Sequence, residues 1–153
     1  MIVVSSCLAG LNVRYNGTHC LNEKIHQLVD DEKKAVTVCP ELLGGFSTPR
    51  EPAEITGGDG YDVLDGKAKV IDQSGNDVTE LYLRGAYTAF QMVKELNATL
   101  VVLKENSPSC GSSMIYDGGF NGTKIAGDGV TSALLKRNKI QVISEEQLAD
   151  FLT

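Results

Sequence analysis

Three of the four cysteines fall where a strand is expected to end. Cys7 follows Ile2-Val-Val-Ser5, Cys39 follows Ala35-Val-Thr-Val38 and opens Cys39-Pro40-Glu41, and Cys110 comes just past Thr99-Leu-Val-Val-Leu103 in Ser107-Pro108-Ser109-Cys110-Gly111. They are separated by 31 and 70 intervening residues, so only topology can bring them together. Thiolates gathered at one place are ligands for soft metals. Structural zinc usually takes four closed ligands, often from Cys-x-x-Cys pairs, and this sequence has none. A [4Fe–4S] cluster on three cysteines leaves one iron without a protein ligand and open to exogenous chemistry. Gly10, Pro40, Gly44-Gly45, Pro108 and Gly111 flank the cysteines and allow backbone N–H groups to approach bridging sulfides.

Other readings of the same thiols stand beside that one. Cysteine is a common small core residue. The thiols also suit a non-catalytic metal- or redox-sensing module. A thiol enzyme with Cys110 as nucleophile needs a base, and neither His19 nor His26 is placed by sequence to supply it. Cys20 lies in the loop Arg14-Tyr-Asn-Gly-Thr-His-Cys20, has no strand to aim it, and reads as a half-buried thiol, with a resolving or fourth-ligand role as the alternative.

Glu41, two residues after Cys39, is expected to reach the same strand edge, where partial desolvation would raise its pKa and suit it to acid–base work; the alternative is a helix-start or surface carboxylate. Ser107 and Ser109 flank Pro108 in a sharp loop; each hydroxyl can bind substrate or cap the turn. Lys104 and Glu105 are expected to be solvated. Arg14 and Arg50 can bind an anionic group or form a structural ion pair. Gly127-Asp-Gly129 precedes a predicted helix and suits either a phosphate at the helix N-terminus or a tight loop. Two histidines are too few for a His-rich metal site, and Gly-x-Ser-x-Gly, Walker A and Gly-x-Gly-x-x-Gly are absent.

The elements that must position these residues are short. The runs Ile2–Ser5, Ala35–Val38, Thr99–Leu103 and Ile140–Ile143 are continuously apolar or β-branched, the pattern of strands buried on both faces of a parallel sheet. Helices are expected over 21–34, from a capping box at Asp77-x-x-Glu80 to Asn97, over 130–136, and from Glu145 with Ser144 as cap and Gln147 in the box position. Leu81, Gly85, Ala89, Val93 and Leu96 line one face of the second. The alternation implies a small α/β domain over 1–153, with a mainly parallel, Rossmann-like sheet flanked by helices. Asp65-Gly66 between Tyr61–Leu64 and Lys67–Ile71 is a two-residue hairpin signal, so 51–76 reads as a hairpin-containing surface insertion. In an open parallel sheet ligands bind outside the carboxyl ends of the strands, where Cys7, Cys39 and Cys110 would converge.

The chain has 153 residues, 14 Lys+Arg against 20 Asp+Glu and a net charge of −6, which suits one compact domain and argues against a nucleic-acid polymer as partner. No signal-like or membrane-spanning apolar run occurs, so a cytoplasmic, non-membrane protein is expected. There thiols stay reduced, and four cysteines are metal-bound, catalytic or structural rather than cross-linked.

Ser6-Cys7-Leu8-x-Gly10 with Arg14-Tyr15-x-Gly17, Cys39-Pro40-Glu41 with Gly44-Gly45 and Pro49-Arg50, Lys104 with Ser107-Pro-Ser-Cys110-Gly111, and Gly127-x-Gly129-Val130 together resemble the DUF523 family. The resemblance spans nearly the whole chain. Members include desulfidases acting on thiouracil, so it implies that Cys7, Cys39 and Cys110 hold a [4Fe–4S] cluster whose non-protein-ligated iron takes a thiocarbonyl sulfur. Glu41 would then be the acid/base residue and Ser107 the residue that orients the substrate. The implied substrate is a small thiolated base or nucleoside such as 2-thiouracil, converted without net redox change.

Overall fold

The computed structural model describes residues 2–5, 35–45 and 51–147. Four strands, β1 (Ile2–Ser5), β2 (Ala35–Val38), β5 (Leu100–Leu103) and β8 (Val142–Ser144), form one sheet in the order β2-β1-β5-β8, and every neighbouring pair is parallel. The expected runs and the strands agree to within two residues. β-branched side chains dominate because both faces are covered. β1 has its sequence successor β2 on one side and β5 on the other, so the direction in which successive strands are added to the sheet reverses between β1 and β5. That crevice, at the carboxyl ends of the strands, is where such sheets bind ligands.

Among the described residues, two helices pack on the sheet. α3 (Thr79–Glu95) and α4 (Val130–Arg137) bury Ala89, Val93 and Leu135 against Val3, Val38, Val101, Leu103 and Val142, and Cys110 belongs to the same cluster. α3 is about 25 Å long at 1.5 Å per residue, long enough to serve two cores. Its first half carries Tyr82 and Ala86 into a second cluster with Ala53, Ile55, Val63, Ala68, Val70, Ile115, Val130 and Leu134. The segment 51–76 thus packs inward and supplies half of that second core.

Within 51–76 the hairpin exists with different strands from those expected. β3 (Ala53–Thr56) pairs antiparallel with β4 (Lys69–Asp72), and Gly60–Leu64 between them is a short helix, α2. The local reason is a capping box. Asp59 Oδ1 accepts the Tyr61 and Asp62 N–H groups at 3.1 and 3.4 Å, while Asp62 Oδ2 accepts the Asp59 N–H at 3.0 Å. Gly66, at φ +77°, follows the helix end instead of turning a two-residue hairpin. A further antiparallel pair, β6 (Met114–Tyr116) with β7 (Lys124–Ala126), lacked a sequence signal.

The start of α3 is also displaced. Asp77 stands one residue before the N-cap, Val78, and accepts Thr79 N–H and Oγ1–H at 3.0 and 2.6 Å, so the Asp77–Glu80 box does not form. Thr79 Oγ1 instead accepts the Val70 N–H at 2.9 Å and ties α3 to β4. The other end is as expected, with Asn97 closing the helix at φ +51°. After β8, Glu145–Gln147 form one 3-10 turn, and Gln147 Oε1 accepts the Ser144 N–H at 3.0 Å. The helix expected over 21–34 lies outside the described residues.

Candidate functional site

Cys39 stands between β2 and a four-residue helix, α1 (Pro40–Leu43). Proline suits the first helical position, where its missing N–H costs nothing. The Cys39 carbonyl accepts the Leu43 N–H at 3.1 Å and the Pro40 carbonyl accepts the Gly44 N–H at 3.0 Å. Backbone contact between α1 and α3 sets where this turn sits. A Cβ on Gly85 would lie 1.9 Å from the Pro40 carbonyl oxygen, and one on Gly44 would lie 2.1 Å from the Leu81 carbonyl oxygen. Only glycine at both positions lets the helices approach this closely. Glu41 is the second residue of α1, two residues past the end of β2.

Cys110 is held differently. At the switch point Ser5 Oγ accepts the Lys104 N–H at 3.0 Å, joining the ends of β1 and β5. Asn106 then takes a left-handed conformation, φ +73°, and bridges to Ile115. Ser107 Oγ accepts the Ser109 and Cys110 N–H groups at 3.0 and 3.2 Å, and the Ser107 carbonyl accepts the Gly111 N–H at 2.9 Å. Of the two roles open to Ser107, its oxygen performs the turn-capping one. Cys110 is buried, 6% exposed.

The start of α4 docks on this loop. The Pro108 and Ser109 carbonyls accept the Val130 and Thr131 N–H groups at 2.7 and 2.8 Å, the Gly111 carbonyl accepts the Gly129 N–H at 2.8 Å, and Ser132 Oγ–H donates to the Cys110 carbonyl at 2.9 Å. Loop carbonyls thereby satisfy the first-turn donors that a phosphate would have needed. Of the two readings of Gly127-Asp-Gly129, the tight loop is the one observed. A Cβ on Gly129 would lie 2.5 Å from the Ser109 carbonyl carbon. Ser109 meets Thr131, hydroxyl to hydroxyl, at 2.9 Å.

Glu105 was expected in solvent and is instead 4% exposed. Its Oε1 accepts the Ser112, Ser113 and Met114 N–H groups at 2.9, 3.1 and 3.1 Å and the Asn106 N–H at 3.4 Å; Oε2 accepts the Ser112 and Ser113 hydroxyls at 3.3 and 2.9 Å. Burial pushes the carboxyl pKa up, but the hydrogen bonds from Met114, Ser113 and Ser112 outweigh it and hold the group below its ordinary range. No sequence spacing announces partners seven to nine residues away. Lys104 is likewise engaged, 3.0 Å from Glu145 Oε1, while Glu145 Oε2 accepts the Glu105 N–H at 2.9 Å. Lys136 closes the far side, with Nζ 2.6 Å from both Asp128 Oδ1 and the Ser112 carbonyl. Burial raises the Asp128 pKa against the lowering effect of Lys136.

The structure therefore places Cys39 and Cys110 at the carboxyl ends of β2 and β5, the two strands that flank β1. Cys7, two peptide bonds beyond Ser5, lies outside the described residues, as do Arg14, His19, Cys20, His26 and Arg50. Among the described residues no three His, Cys, Asp or Glu side chains form a metal-binding group. The carboxylate closest in sequence to Cys110, Glu105, is committed to amides and hydroxyls, and among the described residues this edge carries two cysteines, Cys39 and Cys110. That donor set suits a soft, sulfide-bridged metal centre.

Fold and site define a small α/β protein with cysteines beyond the carboxyl ends of two parallel strands, β2 and β5, that flank a third. A family model described as 2-thiouracil desulfurase matches residues 2–147. The chain is 64% identical over 152 residues, 99% of its length and 100% of the relative's, to the uncharacterized protein YbbK of Bacillus subtilis (strain 168). Among solved structures it is similar to the [4Fe-4S]-dependent thiouracil desulfidase TudS, with TM-score 0.85 and 42% identity over 97% of this chain and 93% of that one. The chain belongs to the 2-thiouracil desulfurase family.

Proposed function

We propose that this protein is a [4Fe–4S]-dependent desulfidase that replaces the sulfur of a thiolated nucleobase, such as 2-thiouracil, with oxygen. Water adds its oxygen to the thiocarbonyl carbon, the carbon–sulfur bond breaks, and sulfur leaves as hydrosulfide with no net change of oxidation state. The observation that supports this reading is the strand order β2-β1-β5, which puts side by side the ends of the three strands that Cys39, Cys7 and Cys110 follow in sequence. Cys7, Cys39 and Cys110 would hold the cluster. When bound, it supplies a soft Lewis acid, one iron lacking a protein ligand, for the thiocarbonyl sulfur.

This chain's own groups do the rest. Glu41 takes a proton from the attacking water and returns one to the ring nitrogen. Ser107, whose oxygen accepts two N–H bonds of the cysteine loop, orients the base. The chain acts as one unit over 1–153, with 51–76 a hairpin-containing segment of it, and works on small thiolated bases or nucleosides in a reducing, cytoplasmic setting. Among the described residues no helix is long and apolar enough to cross a membrane. The test is sulfide release from 2-thiouracil by anaerobically reconstituted protein. Wild type should release sulfide, and Glu41→Ala should be slower by about 100-fold or more. A loaded wild-type protein that releases none would exclude the enzyme and favour a sensor.

A further inference from the structure

We propose that Glu105 is a positioning residue that presents Cys110 to the iron centre by clamping shut both ends of the loop that carries it. The proposal rests on the reading of Cys110 as an iron ligand. Residues 106–113 leave β5 and return to β6 without regular structure, so no helix or strand ladder fixes the thiol. A single carboxylate ties the two ends of this loop together. It accepts the Asn106 N–H at one end of the loop and the Ser112, Ser113 and Met114 N–H groups at the other, together with two hydroxyls. The enclosed residues, Ser107 to Gly111, are then a closed turn with Cys110 near its end. α4 and Gly129 just before it separately bind the loop carbonyls of Pro108, Ser109, Cys110 and Gly111.

A second buried carboxylate provides the control. Glu54 is 9% exposed, and its Oε1 accepts the Gly118 and Phe120 N–H groups at 2.9 and 3.2 Å. It fastens the β6–β7 loop, which carries no cysteine. Loss of either carboxylate unties a loop, but only Glu105 unties the one with the thiol.

The experiment compares wild type, Glu105→Gln, Ser113→Ala, Glu54→Gln and Cys110→Ser. On cluster-free protein, the alkylation rate of each cysteine by iodoacetamide is followed by peptide mass spectrometry. On reconstituted protein, iron loss to a chelator is followed by visible absorbance. Glu105→Gln should speed Cys110 alkylation about tenfold through local opening, leave Cys39 within about twofold, and speed iron loss by a similar factor. Ser113→Ala, which removes one hydroxyl donor from a partly exposed position, should give a smaller effect of the same sign and covers the case in which Glu105→Gln does not fold. Glu54→Gln should leave both readouts unchanged. Equal acceleration at every cysteine, or wild-type behaviour in both clamp variants, would overturn the proposal. The underlying reading fails separately, if wild type holds no iron or Cys110→Ser holds as much as wild type.

Discussion

Cys39 and Cys110 follow the two strands that flank β1 yet are positioned by opposite means. Cys39 sits at the start of a helical turn whose place is set by steric fit, glycine against backbone carbonyl, between α1 and α3. Cys110 sits in an irregular loop whose backbone donors are collected by a buried carboxylate and whose carbonyls are collected by α4. Regular structure satisfies its own backbone and needs only a close neighbour to fix it. An irregular loop in the interior leaves N–H groups that cost ~1–3 kcal/mol each if unpaired, so a side chain must receive them.

The sharpest way to break the polar half is Glu105→Ala. It strands several buried N–H groups and should cost about 3 kcal/mol or more, read as a lowered urea midpoint on cluster-free protein, with hydrogen exchange rising first at residues 112–114. The steric half breaks at Gly85→Ala. The new methyl meets the Pro40 carbonyl, α1 must shift, and a loss of about 2 kcal/mol should come with faster alkylation of Cys39 and little change at Cys110.

Acid separates the halves more gently. Hydrogen bonds hold the Glu105 carboxyl below its ordinary range, so its contribution is complete at neutral pH and is lost as pH falls through that lowered value. Asp128 carries the opposite sign, since burial raises its pKa and protonation relieves a cost. Urea midpoints of cluster-free wild type should therefore drop on acidification from pH 5 to pH 3, and those of Glu105→Gln should drop less. The smallest effect belongs to the exposed pair Asp65–Arg137, at 2.8 Å, which touches neither half; Asp65→Asn should leave the midpoint and all alkylation rates at wild-type values.

The sequence alone carried the parallel sheet and the strand-end placement of two cysteines, because β-branched runs and the residues after them are local signals. Asn97 and the span of α4 were legible for the same reason. What stayed hidden depended on competition between local signals or on distance. Asp65-Gly66 reads as a hairpin turn until the Asp59–Asp62 box upstream converts Tyr61–Leu64 to helix. Glu105 looks like a solvated residue after a strand, since its partners lie seven to nine positions on and are ordinary serines and a methionine. The stacking of Gly44 on α3 and Gly85 on α1 is a contact between distant segments, visible only once the helices are placed.

The most direct test of the three-thiol centre is iron and acid-labile sulfide per chain after anaerobic reconstitution, in wild type and in four single Cys→Ser variants. Wild type and Cys20→Ser should each hold about four irons and four sulfides, while Cys7→Ser, Cys39→Ser and Cys110→Ser should hold far less. Iron-free wild type, or a cluster lost with Cys20 and retained without Cys110, would contradict it.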